Sequence, residues 1–298
     1  MLLVSFLAII IGVLLGLLGG GGSILTVPVL VYLADIPTKS AIITSLFVVG
    51  STSLIATITH ASKKHVCWKT GAIFGSAGML GAFSGGRLSA YIPDALLLIL
   101  LALVMLAASL SMLFKKAPIS TEAEIENHSF CPKELPVLAV LLDGFFLGII
   151  TGLVGVGGGF LLVPALMHLA RLPVHAAIGT SLFIIFLQSS AALAGHYGHI
   201  AINIELTIII SCLAILGSFA GAKLATIVPS NALKRSFGYF VLILGSGLLY
   251  KEADQSIINQ LQLLIKQNQA FISGASSAVI LALLYRLWIW LHTKTSKI

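Results

Sequence analysis

Displaced by 136 residues, the chain matches itself. GLLGGGGSILTVPVLVYLADIPTKSAIITSLF, from Gly16 to Phe47, aligns without a gap with GLVGVGGGFLLVPALMHLARLPVHAAIGTSLF, from Gly152 to Phe183, and more than half of the paired positions are identical. The same offset pairs His60 with His196, Gly81 with Gly217, Gly85 with Gly221, Arg87 with Lys223 and Pro93 with Pro229. Apolar sequence does not give such agreement by chance, so most of the chain is a tandem duplication.

Each unit is built from apolar runs that only lipid can accommodate. Of 298 residues, 58% are hydrophobic and 9% charged, and the mean hydropathy is +1.08; a soluble domain carries roughly 25% charged residues. Runs close to or above the roughly 20 residues that span a bilayer fall at about 2–34, 41–59, 70–92, 95–114, 136–170, 176–195, 202–227, 232–250 and 270–291. The amino terminus, MLLVSFLAII, lacks a basic n-region and runs on past any cleavage site, so it reads as a mature first helix. The net charge of +7 is spread over short loops, which speaks for membrane topology and against a nucleic-acid partner. Cys67, Cys131 and Cys212 lack metal-ligand spacing and read as ordinary small hydrophobes or loop residues.

The first apolar run of each unit is too long for one upright span and is interrupted by glycine: Gly19 to Gly22 in the first, Gly155 and Gly157 to Gly159 in the second. Each glycine weakens a helix interior by about 1 kcal/mol relative to alanine, so each run should break into two segments. The expected organisation is a first membrane repeat over 1–114, a polar linker over 115–135, a second repeat over 136–250, a polar connector over 251–269, and an extra helix and tail over 270–298. If each broken run crosses the membrane, the 14 Lys and Arg outside helix interiors split about eight to six between the two sides; if it dips in and returns, they split eleven to three. The second count favours units inserted in opposite senses. The fold class expected is therefore all-α and polytopic, with two tandem inverted repeats, broken or re-entrant Gly-rich helices, and one extra C-terminal helix.

Non-helical backbone at membrane depth is tolerated only where protein buries it or it lines a polar cavity. The free amides of Gly21, Gly22 and Ser23, and of Gly157, Gly158 and Gly159, would stand at half-helix amino termini, whose dipole and donors suit an anion. Close packing through small residues is the plainer use of such glycines. Neither a dinucleotide fingerprint nor a GK[ST] phosphate loop is present, which removes ATP-driven pumping by this chain alone. The TSLF element supplies Thr44 and Ser45, then Thr180 and Ser181, as hydroxyls that donate either to an anion or to their own helix, and Gln188 is a further candidate. Arg87 and Lys223 sit inside spans, where a basic residue is a functional candidate, yet near enough to an interface to snorkel. His60 and His196 read as interfacial caps or proton relays. Asp143 is the one carboxylate well inside an apolar run, so no cation path, metal site or hydrolytic constellation is laid out.

With these paired motifs, the chain from about Val4 to Leu249 resembles the sulfite exporter TauE/SafE family of bacterial-type membrane permeases, and GLLGGGGSILTVPVL with GLVGVGGGFLLVPAL carries most of the resemblance. The resemblance implies a transporter, not an enzyme, exporting sulfite, sulfonates or related small anions across a bacterial cytoplasmic membrane without a cofactor or ATP hydrolysis of its own. It implies a site between the repeats, with Gly19 to Ser23, Thr44 and Ser45 on one side and Gly155 to Gly159, Thr180 and Ser181 on the other. The two sides differ at Gly20 against Val156 and Ser23 against Gly159. A carrier of another solute or a metal ion, a non-transporting scaffold, and a homodimer all stay open at this point.

Overall fold

The structure, a computed structural model, describes residues 2–18, 21–62, 64–114, 131, 136–170, 172–197, 204–224 and 230–252. Among these the helices are α1 (Leu2–Leu18), α2 (Thr26–Tyr32), α3 (Thr38–Ser62), α4 (Trp68–Ser89), α5 (Asp94–Phe114), α6 (Val137–Val154), α7 (Gly159–Leu169), α8 (Val174–His196), α9 (Ile204–Leu224) and α10 (Ser230–Glu252), with a 3₁₀ turn over Gly21–Leu25 between α1 and α2. The offset of the duplication carries α1 through α5 onto α6 through α10. A helix satisfies its backbone donors internally except in its first turn, which suits a segment in lipid. Four described segments, Thr38–Ser62, Val137–Val154, Ala176–His196 and Ile204–Gly221, are long and apolar enough to cross a bilayer. The chain is an integral, multi-pass membrane protein.

The glycines break both runs. In the second unit α6 stops at Gly155, whose φ of 73° is left-handed, and its N–H returns to the Thr151 carbonyl at 2.9 Å. Gly158, at φ 66°, then starts α7, and its carbonyl accepts the N–H groups of Leu161 and Leu162 at 2.9 Å. In the first unit the chain turns back on α1 so tightly that a Cβ on Gly22 would lie 2.6 Å from the Leu14 carbonyl carbon and the Leu15 nitrogen. Only glycine permits that approach.

The closest helix packings join one unit to the other. Gly144, Gly148 and Gly152 of α6 rest on the carbonyls of Phe74, Gly78 and Ala82 of α4. Contacts that advance together along both helices mean that α4 and α6 run in the same direction. Gly71, Gly75 and Gly86 of α4 meet Phe183, Leu187 and Ala192 of α8 in the same sense. By contrast Gly50 of α3 faces Ser189, while Gly179 near the start of α8 faces His60 near the end of α3, so α3 and α8 cross antiparallel. These two helices are repeat equivalents. On the other flank Gly12 of α1 is pressed on Ala214 of α9, and Gly217 on Ile9 and Val13. The buried apolar side chains form two clusters, and each mixes both units: one holds Ile11, Phe74, Leu162 and Ile185, the other Ile24, Leu46, Leu101 and Leu153.

One expectation is corrected. Cys67 and Cys131, read from their scatter as ordinary residues, are joined by a disulfide, S–S 2.09 Å, which ties the linker to the start of α4. The 64 residues between them hide that proximity in the sequence. Cys212 is free and exposed. Residues 250–298 form a unit separate from residues 1–249; the connector over 251–269 lies almost wholly, and the extra helix over 270–298 entirely, outside the described residues, as does the linker apart from Cys131.

Candidate functional site

The antiparallel crossing of α3 and α8 brings the two glycine breaks together. Gly157 is lodged between Val49 of α3 and Ile185 of α8, which are repeat equivalents, and a Cβ there would lie 3.6 Å from the hydroxyl oxygen of Ser23 in the other break. The Ser45 hydroxyl donates to the Gly155 carbonyl at 2.7 Å. A motif of the first unit thereby holds the break of the second.

The remaining hydroxyls divide the work. Thr44 and Thr207 share a hydrogen bond at 3.3 Å between α3 and α9. Thr180 accepts the backbone N–H of Cys67 at 3.0 Å, which fixes the start of α4 against α8. Ser181 turns back to the Ile178 carbonyl of its own helix at 2.8 Å. Ser23, Thr44, Ser45, Thr180, Ser181 and Gln188 are all buried.

Gln188 is the most telling of them. Its side chain is 0% exposed, and Oε1 faces the Thr151 hydroxyl at a long 3.5 Å. Its Nε2 lies against the bare face of Gly78 and has no hydrogen-bond partner among the described residues. The next hydroxyl along the helix, that of Ser189 beside Gly50, is likewise buried without a partner among them. An unsatisfied buried donor costs about 1–3 kcal/mol, and here two successive residues of α8 carry one each, Gln188 toward α4 and Ser189 toward α3. Gly158 opens the same corner, its missing Cβ position 3.0 Å from the Thr151 hydroxyl.

Other candidates are placed elsewhere. Arg87 is exposed, with its guanidinium 5.8 Å from the Phe83 ring, on the outside of α4 and apart from the crossing. Lys223 belongs to α9, but its side chain lies outside what the structure describes, as do Gly19 and Gly20 and the surroundings of Gly21. Gly22 and Gly159 are buried at their breaks. His196 is not an interfacial cap: it is 2% exposed, with Nδ1 3.2 Å from the Ser89 hydroxyl and Nε2 3.1 Å from the Gly152 carbonyl. Asp143 is half-buried on α6. Thr151 and Ser189 were not singled out from sequence. Ser189 repeats Ser53, a signal open to reading, whereas Thr151 repeats Leu15 and gives none.

The gathered groups are hydroxyls, one carboxamide and glycine backbone; none is a carboxylate. Among the described residues no group of three His, Cys, Asp or Glu is arranged for a metal ion. Neutral donors in a dry setting stabilise negative charge without placing a permanent charge in lipid.

The family profile described as sulfite exporter TauE/SafE matches residues 4–248. A probable membrane transporter protein of Xylella fastidiosa is 34% identical over 251 residues, covering 81% of this chain and 92% of that protein. A probable membrane transporter protein of Bacillus subtilis is 26% identical over 252 residues, covering 84% of this chain and all of its own length. One of Methanocaldococcus jannaschii is 31% identical over 205 residues, 65% of this chain and 73% of that protein. No solved structure matches the chain significantly.

Proposed function

Because the chain belongs to the sulfite exporter TauE/SafE family of membrane transporters, we propose that it is a secondary permease exporting small sulfur oxyanions, sulfite or simple sulfonates, through a site at the crossing of its two repeats. The carrying observation is Gln188, whose buried Nε2 can only donate and has no partner among the described residues. Thr151 links Gln188 to the break at Gly157 to Gly159, whose amides begin an 11-residue helix and bring the positive end of its dipole, and Ser189 faces the crossing with α3 at Gly50. Sulfite and sulfonates present several acceptor oxygens and no donor except when protonated, so they complement this lining.

The repeats are read as inserted in opposite senses. The support is the antiparallel crossing of α3 with its equivalent α8, joined to the eleven-to-three division of loop Lys and Arg. On this reading each broken run enters the bilayer and returns, so the two breaks meet near the midplane, as in other carriers with inverted repeats.

The test is counterflow in liposomes containing the purified protein, with labelled sulfite and a short alkylsulfonate. Saturable exchange is expected in the parent. Gln188→Glu keeps the shape, replaces the donor by an acceptor, and should abolish the exchange, while Gln188→Asn should retain part of it. Absence of exchange for every sulfur oxyanion, or an unaffected Gln188→Glu protein, would overturn the reading.

A further inference from the structure

The two halves of the molecule are not equally closed. Between α1, α3 and α9 lies a cavity of about 120 Å³, lined among others by Gly16, Thr52, Ser53, Thr59, His60 and Ser218. That is far above the ~10–15 Å³ that admits a water molecule. The repeat offset carries its lining onto Gly152, Gln188, Ser189, Gly195, His196 and Ala82. There the walls are in contact. Gly195 is pressed on the Phe83 carbonyl at 2.5 Å from its missing Cβ position, Gly86 on the Ala192 carbonyl at 2.8 Å, and Gln188 reaches Thr151.

The sequence accounts for the difference. Where α4 offers α8 the bare backbone of Gly71, Gly75 and Gly78, the repeat-equivalent positions of α9 carry Thr207, Ser211 and Ala214, and Thr207 meets Thr44 of α3. Gly195 of α8 is matched by Thr59 of α3. Side chains therefore hold α3 and α9 apart, whereas glycines let α4 and α8 close. Since α3 and α8 cross antiparallel at Gly50 and Ser189, Thr52 to His60 lead away from the crossing in one direction and Ser189 to His196 in the other.

The closed side has a latch. The His196 imidazole bridges three helices, with Nδ1 on Ser89 of α4 at 3.2 Å and Nε2 on the Gly152 carbonyl of α6 at 3.1 Å. A carbonyl only accepts, so Nε2 carries the proton in that bond. Both bonds would be lost if α4 and α6 moved away from α8.

Building on the site at the crossing, we propose that the cavity between α1, α3 and α9 is the vestibule through which a small oxyanion meets that site from one membrane face. The path from the other face is shut by the His196 latch. The vestibule wall is mainly apolar, with Leu15, Ile55, Leu182 and Phe219, and its polar groups are the hydroxyls of Thr52, Ser53, Thr59 and Ser218 and the His60 imidazole. Thr52 now donates to the Val48 carbonyl at 2.8 Å, and Ser218 to the Ile215 carbonyl at 2.7 Å. Each can rotate from its own helix to an anion oxygen without breaking the helix.

Thiol accessibility separates this proposal from the identity of the solute. In a cysteine-free background, Ala56→Cys lines the vestibule and Ala192→Cys is its repeat equivalent in the closed half. Ala56→Cys should react with a charged, membrane-impermeant methanethiosulfonate from one face only, and Ala192→Cys should react far more slowly. Adding His196→Ala should raise the Ala192→Cys rate from the opposite face about tenfold, the effect expected of losing two ordinary hydrogen bonds. Ser89→Ala, which removes one of the two bonds and spares the histidine, should fall between. An unreactive Ala56→Cys, equal reactivity at both positions, or no response to either latch substitution would overturn the vestibule and latch. If the labelling pattern holds but sulfite fails to slow labelling at Ala56→Cys, the vestibule stands and the sulfite reading falls.

Discussion

The Ser45 hydroxyl reaches across the repeat boundary to the Gly155 carbonyl at 2.7 Å, whereas its equivalent, Ser181, bonds only its own helix at Ile178. Two serines in the same motif thus carry different structural burdens. Ser45→Ala leaves a buried carbonyl short of its donor and should cost about 1–3 kcal/mol, while Ser181→Ala should cost well under half as much. Thermal unfolding of the two variants in detergent measures the difference, and equal losses would mean that the Ser45 bond does not hold the break.

Gly157 offers a steric test of the same junction. A Cβ there would overlap a Val49 methyl group and come within 2.9 Å of Ile185, so Gly157→Ala should cost about 1–3 kcal/mol by overpacking. Anion exchange should be lost with it. Gly247, with nothing within 4 Å of its missing Cβ position, is the control: Gly247→Ala should leave unfolding and exchange within error of the parent.

Sidedness is testable without any substrate. If the repeats are inserted in opposite senses, single cysteines replacing Lys64 and Lys234 should react with an impermeant maleimide from the same side of sealed vesicles. Labelling from opposite sides would restore repeats of the same sense.

The disulfide gives an independent marker. Cys67 stands between Lys64 and Lys69, and Cys131 two residues before Lys133, in loops that the charge distribution assigns to the cytoplasm. That compartment keeps thiols reduced. Both cysteines should therefore be recovered as thiols from growing cells, by alkylation and gel shift, and should join on mild oxidation with diamide. Quantitative oxidation in untreated cells would put these loops outside and reverse the orientation.

Much of the frame was legible in the sequence because duplication prints every feature twice. The apolar runs, the breaks at Gly22 and Gly155 to Gly159, and the TSLF serines and threonines stand out for that reason, and Gln188 stands out as a carboxamide in apolar surroundings. What the sequence concealed depends on pairing across space. Thr151 has a leucine for a repeat partner, so only its proximity to Gln188 and Gly158 marks it. His196 matches His60 in type, yet the backbone carbonyl and serine that hold it come from two other helices. Arg87 drew notice as a charge inside a span, but helical phase turns it outward over Phe83. The cysteines that pair stand 64 residues apart, a proximity that no periodicity encodes.

The exchange of helices between units bears on how the chain is made. Gly12 of α1 packs on Ala214 and Gly217 of α9, a helix that begins only at Ile204. Helix α1 therefore lacks its α9 partner until nearly 200 further residues have followed it from the ribosome. Contacts so distant along the chain form late and slowly. A truncation anywhere before α9 should leave inserted but unpaired helices, the kind of product that membrane proteases remove. Two half-proteins expressed together should rescue one another, because each repeat holds the partners that the other lacks.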